Sequence, residues 1–147
     1  MNAITNLIRR VKATRDVINE ELRAIIMEYS DVIIDMVAND QLYERGINGY
    51  GEDISSYEPY KMGTIRIKRE KGQPTDRVTL RDTGAFHRSF RLKSDDEGFY
   101  IVATDVKTKD LKAKYGPAIL RLSPDNIAEL LNGYVKPELI KRIKHYL

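Results

Sequence analysis

A chain of 147 residues can form one domain with an apolar core of its own, and 41% hydrophobic with 32% charged residues is an ordinary globular balance. The net charge of +3 and pI near 9.0 are too slight to argue for nucleic acid or an acidic partner by themselves. Cysteine is absent, which excludes disulfides, thiolate metal sites and thiol catalysis, and suits a reducing compartment.

The opening "MNAITNLIRRVKATRD" has no uninterrupted apolar stretch, and no later run is long enough to span a bilayer, so neither a signal peptide nor a membrane helix is expected. Ile4, Leu7, Ile8, Val11, Ile18, Leu22, Ile25, Ile26, Tyr29, Ile33, Met36 and Val37 recur at three- and four-residue steps. That spacing predicts an amphipathic helical arm over 1–43 with one apolar stripe. Unbroken, it would be roughly 60 Å long at 1.5 Å per residue. A single domain of this size is only about 40 Å across. The helix is therefore expected to break near Thr14–Asp16, where the stripe lapses, or to project onto a neighbouring copy.

Residues 44–77 read as an extended loop region, with glycines, Pro59 and paired serines. Within it, Thr64-Ile65-Arg66-Ile67-Lys68 fits a short strand or a helical turn after Pro59, and period alone leaves both open. Residues 78–122 form the expected β region. "FHRSFRLKS" and "FYIVATD" flank the turn "SDDEG", predicting a hairpin at about 86–104, and after a lysine-rich link "YGPAILRL" reads as a further strand or extended segment. Over 123–147, Ser123-Pro124-Asp125-Asn126 starts a helix that Asn132-Gly133 stops, and Pro137-Glu138 opens a second short one. The sum is α+β in a single domain: a long N-terminal helix, a small antiparallel sheet with a hairpin, and two short C-terminal helices.

Asp82-Thr83-Gly84-Ala85 spells the tetrapeptide of retroviral-type aspartic proteases. Such an enzyme needs two carboxylates sharing a proton in an apolar site. Here Arg81 precedes the acid and His87 and Arg88 follow, and nearby cations oppose a shared proton. A turn explains the string more simply: Asp82 or Thr83 caps it, Gly84 supplies backbone freedom, and a strand begins near Phe86. Gly46, Gly49 and Gly51 lack the spacing of a dinucleotide or phosphate loop. His87 and His145 share no ligand-like spacing, so no metal centre or other cofactor is expected, and His145 reads as a helix-end cation. Tyr43, Tyr50, Tyr57 and Tyr60 stand beside Arg66, Lys68, Arg69 and Lys71, an interleaving that can hold single-stranded nucleic acid.

The order of features over 43–122 resembles the virion morphogenesis family of tailed bacteriophages, the tail completion, neck or head–tail joining proteins. The residues carrying the resemblance are Thr64, Lys68 and Gly72; Leu80, Asp82, Thr83, Gly84, Phe86 and Ser89; then Tyr115 and Gly116. Phe86 stands where the family more often has Leu, and the helical tail after 123 departs from many relatives. The resemblance implies a non-enzymatic virion structural protein, made in the bacterial host cytoplasm. It would form an oligomeric ring at the head–tail junction and join portal or connector to tail proteins, without a membrane and without requiring DNA. Contacts would run through the helix stripe and the 44–72 loop, which would order fully in the assembly. The alternative is a small basic nucleic-acid-binding protein of phage or mobile-element origin using Arg66, Lys68, Arg69 and Lys71.

Overall fold

The protein is described by a computed structural model covering residues 2–146. In chain order its elements are α1 (Ala3–Glu28), α2 (Ser30–Asp35), a wide π-type helix (Met36–Arg45), a 3-10 turn (Ile54–Ser56), α3 (Met62–Glu70), α4 (Ala85–Arg88), β1 (Phe90–Asp95) and β2 (Gly98–Ala103). There follow α5 (Thr108–Tyr115), a second 3-10 turn (Pro117–Leu120), α6 (Pro124–Glu129), a second π-type segment (Leu130–Val135), α7 (Lys136–Ile143) and a closing turn (Lys144–Tyr146). The architecture is α+β, as the sequence pattern predicts.

The N-terminal helix does not break at Thr14–Asp16. No Gly or Pro interrupts it, and the Thr14 hydroxyl is satisfied by the Arg10 carbonyl one turn back, at 2.9 Å. Asn2 caps its start, with its side chain accepting from the Thr5 N–H at 2.8 Å. The helix ends instead at Tyr29, whose backbone (φ −91°, ψ 18°) leaves the helical region.

The chain forms two compact units. One consists of the chain up to Tyr29 together with Ala128 onward, the other of Ser30–Ile127. In the first, α7 packs on α1, and Ile25 is fully buried. The Arg142 guanidinium meets Glu28 at 2.5 Å, Glu138 at 3.0 Å and Glu21 at 3.3 Å, and hydrogen bonding to Glu28 above all raises its pKa. Tyr29 meets Tyr134 edge-on at 5.3 Å. Gly133 does not stop a helix: it lies inside the Leu130–Val135 segment, and Lys136 continues with φ −61° and ψ −47°. The side chain of His145 lies outside the described residues.

The core of the second unit is built from Val37, Ala38, Leu42, Ile54, Val78, Leu80, Phe86, Phe90, Tyr115, Ile119 and Leu120. In this unit one open alternative is decided and two expectations are corrected. The 64–68 run is helical within α3, because Ile65 and Lys68 turn inward at helical spacing while Ile67 faces solvent. The hairpin strands pair from Phe90↔Ala103 to Asp95↔Gly98, so Phe86–Arg88 belong to the one-turn helix α4 rather than to a strand. Residues 117–120 form a tight turn and not a strand, burying Ala118, Ile119 and Leu120 in succession after Gly116 (φ 85°).

The 44–61 loop is anchored to its own interior. The buried Asn48 carboxamide oxygen accepts from the N–H groups of Tyr50 (2.9 Å) and Glu52 (3.1 Å), and Ile54 is fully buried. The widened helix at 36–45 places Gln41 inside the unit. There its side chain donates to the Arg121 carbonyl at 2.8 Å and accepts from the Ser123 N–H at 2.7 Å and from Asn126 at 3.0 Å.

Candidate functional site

Seven of the residues that carry the family resemblance converge on one cleft of about 170 Å³. They are Lys68, Leu80, Asp82, Thr83, Gly84, Phe86 and Tyr115, joined by Tyr60, Arg81, Lys107, Leu111 and Lys114 among others. Thr64 and Gly72 stay on α3 and at its end, where Gly72 (φ 69°) takes the left-handed position. Ser89 sits behind the cleft and ties α4 to the hairpin: its hydroxyl donates to the Phe86 carbonyl at 2.7 Å, and its own carbonyl accepts from the Thr104 N–H at 3.3 Å. Gly116 ends α5 by donating to the Lys112 carbonyl at 2.9 Å.

The cleft is assembled by a clamp between α3 and the 80–84 loop. Lys68 is only 7% exposed, yet its ammonium is satisfied. It donates to the Arg81 carbonyl at 2.7 Å and to the Gln73 side chain at 3.4 Å, and lies 4.9 Å from the centre of the Tyr60 ring. Gln73 in turn donates to the Asp82 carbonyl at 2.7 Å. Tyr60 fixes the residues just before that loop, its hydroxyl accepting from the Thr79 N–H at 3.0 Å. The loop held this way carries Leu80 at φ 54°, the one non-glycine residue in left-handed backbone among the described residues, with its side chain buried under the cleft.

Asp82-Thr83-Gly84-Ala85 is a turn. The Thr83 hydroxyl accepts from the Ala85 N–H at 3.2 Å, and Gly84 (φ 87°) opens α4. The Asp82 carboxylate lies at the surface, paired with Lys71 at 2.6 Å and with Lys107 at 3.9 Å. The Lys71 hydrogen bond, reinforced by Lys107 and Lys68, holds its pKa below the usual carboxylate value, the opposite of what a proton-sharing dyad requires.

The basic quartet divides. Arg66 and Arg69 are exposed on α3, Lys71 is committed to Asp82, and Lys68 is buried on a carbonyl, so the four do not form one phosphate-facing set. Of the four tyrosines, Tyr43 lies under Arg81 at 4.8 Å, Tyr60 under Lys68 at 4.9 Å and exposed Tyr50 beside Arg121 at 5.9 Å, while Tyr57 is exposed with its hydroxyl on Glu52.

Sequence reasoning missed the other wall of the cleft. The lysine-rich "link" is the helix α5 with its leading turn, and it brings Lys107, Leu111 and Lys114 to the rim. Their spacing of four and three residues was the available signal. His87, read from the sequence among the cations near Asp82, is instead buried: it is 7% exposed, with Nε2 placed 3.0 Å from the Thr79 carbonyl, and burial pushes its pKa down to about 4. Its Nδ1 is buried without a hydrogen-bond partner.

Away from the cleft, Ile4, Leu7, Ile8 and Val11 on α1 are 50–69% exposed and form one continuous apolar face. Beside them stand Arg9, Arg10, Lys12 and Arg15, with no acid before Asp16. No helix is long and apolar enough to cross a membrane among the described residues. Protein-family models, curated proteins and solved structures were each compared with the chain, and none matches it.

Proposed function

We propose that this chain is a structural, non-enzymatic protein of a tailed-bacteriophage particle, acting at the head–tail junction as a tail completion, neck or connector subunit. It assembles into an oligomeric ring that joins portal to tail, and is made in the bacterial host cytoplasm. One observation carries the reading: four large aliphatic side chains of α1 stand in water at consecutive stripe positions, a surface that a solitary globule has no reason to keep. The cleft supports it as well. The residues of the family resemblance that meet there make a clamp and a socket, joined by hydrogen bonds and ion pairs, and Asp82 is ionised and neutralised by lysines.

The test is sedimentation velocity and negative-stain electron microscopy of the purified chain, followed by mixing with purified portal and tail proteins. Closed rings, or a complex with either partner, are the expected result. A monodisperse monomer at millimolar concentration that binds neither partner ends the proposal.

The second reading is a nucleic-acid-binding protein. Arg66 and Arg69 on α3 and the cations of the α1 amino-terminal half favour it, being exposed. In a titration with duplex and single-stranded DNA at two salt concentrations, binding that weakens steeply with salt and is lost in Arg66→Ala/Arg69→Ala would support it.

A further inference from the structure

We propose that the cleft between α3, the 80–84 loop and α5 receives the acidic hairpin tip, Asp96–Glu97, of a second copy of the chain. The inference rests on the assembly reading above and names the contact through which copies join.

The cleft has an apolar floor, with Leu80, Phe86, Leu111 and Tyr115 among its lining, and a volume of about 170 Å³, suited to a side chain and not to a helix. Its exposed rim is cationic: Lys107, 3.9 Å from Asp82, and Lys114, 3.4 Å from Glu58, keep 58% and 42% of their side chains in solvent, while Lys71 engages Asp82 at 2.6 Å. The strained backbone of Leu80 beneath it is the kind of stored distortion found where a fold shapes a receptor.

The same unit carries a complementary plug. The hairpin is buried only at its base, through Phe90 and Leu92, and from Lys93 to Glu97 the chain stands exposed. The Asp95 carboxylate turns back on the turn itself, accepting from the N–H groups of Glu97 (2.8 Å) and Gly98 (3.1 Å). Asp96 and Glu97 are left to present their charge at the tip, with exposed Tyr100 behind them to meet the apolar floor. Plug and socket are different surfaces of one chain. The contact is therefore heterologous, the type of interface from which rings are built when its rotation closes.

Charge exchange tests it in the full-length chain. Lys107 and Lys114 keep 58% and 42% of their side chains in solvent, so reversing them disturbs only their surface pairs with Asp82 and Glu58, and circular dichroism checks that the fold is kept. Sedimentation velocity is run on the parent, on Lys107→Glu/Lys114→Glu, on Asp96→Lys/Glu97→Lys, and on the four-fold combination. Each reversal is expected to weaken self-association about tenfold or more, and the combination to recover most of that loss. If the parent assembles and both reversals assemble equally well, or the combination recovers nothing, the socket is wrong and the assembly reading survives. A parent monomeric at every concentration overturns both. A 30-base-pair duplex DNA serves as a further probe. Binding abolished by Lys107→Glu/Lys114→Glu, with self-association untouched, overturns the socket in favour of a phosphate-binding groove.

Discussion

The Lys68 ammonium donates to the Arg81 carbonyl oxygen at 2.7 Å, across thirteen residues of sequence, and this contact holds the 80–84 loop against α3. A buried cation is costly unless its protons are satisfied. Here a carbonyl, a carboxamide and an aromatic face do so without a carboxylate in contact. Lys68→Met keeps the apolar stem and removes the donor, leaving the Arg81 carbonyl without it. The variant is expected to lose about 1–3 kcal/mol in urea unfolding. Its Asp82 loop should also exchange amide hydrogens faster, because the clamp is gone. Unchanged stability together with unchanged exchange would show that the loop is held by something else.

His87 makes the fold acid-sensitive in a defined window. Its ordinary pKa of 6.5 falls to about 4 in the folded chain because burial penalises the charged ring, with Arg81 and Lys68 adding repulsion. The depressed value means that the unfolded chain takes up the proton first. The contribution of the neutral ring is whole above pH 6.5 and is lost as pH falls through the window toward 4, reaching roughly 3 kcal/mol. Asp82 and Asp125, whose pKa values are also lowered, add their own loss at the acid end. Unfolding free energy measured from pH 7 to 4 should fall more steeply in the parent than in His87→Leu. Parallel curves would rule out His87 as the source.

Two glycines separate a close approach from a backbone requirement. A Cβ on Gly49 would lie 2.4 Å from the Arg121 Cβ and 2.8 Å from its carbonyl oxygen, where the Gly49 N–H already donates to Ala118 at 2.8 Å. Gly49→Ala is expected to cost about 1–3 kcal/mol by overpacking. Gly51 has open space around its Cβ position but φ of +76°, so Gly51→Ala should cost only about 1 kcal/mol and Gly51→Asn less. Equal losses at both positions would show that contact with Arg121 is not what matters at Gly49.

Arg142 gathers Glu21, Glu28 and Glu138, so Arg142→Met leaves three carboxylates facing one another. The melting temperature should drop at low ionic strength, and the deficit should shrink in 1 M salt as the repulsion is screened. A deficit independent of salt would assign the loss to packing of the arginine stem instead.

What the sequence determined by itself was local. The apolar stripe set the long helix, Asp95 to Gly98 set the hairpin turn, Ser123-Pro124 set a helix start, and Thr83 with Gly84 set the turn that looks like a protease motif. Each is decided within a few residues by periodicity, capping or backbone freedom. The end of α1 at Tyr29 was not legible, because Tyr29 turns where it meets Tyr134, more than a hundred positions away. Nor was the helical choice for 64–68, which is settled by the burial of Lys68 against a loop not yet written at that point in the chain. The cleft belongs to tertiary structure altogether. Its walls come from α3, the 80–84 loop and α5, and only packing puts those cations around one hollow. Sequence period records which side of an element is apolar; which other element it meets depends on long-range contacts that carry no local signature.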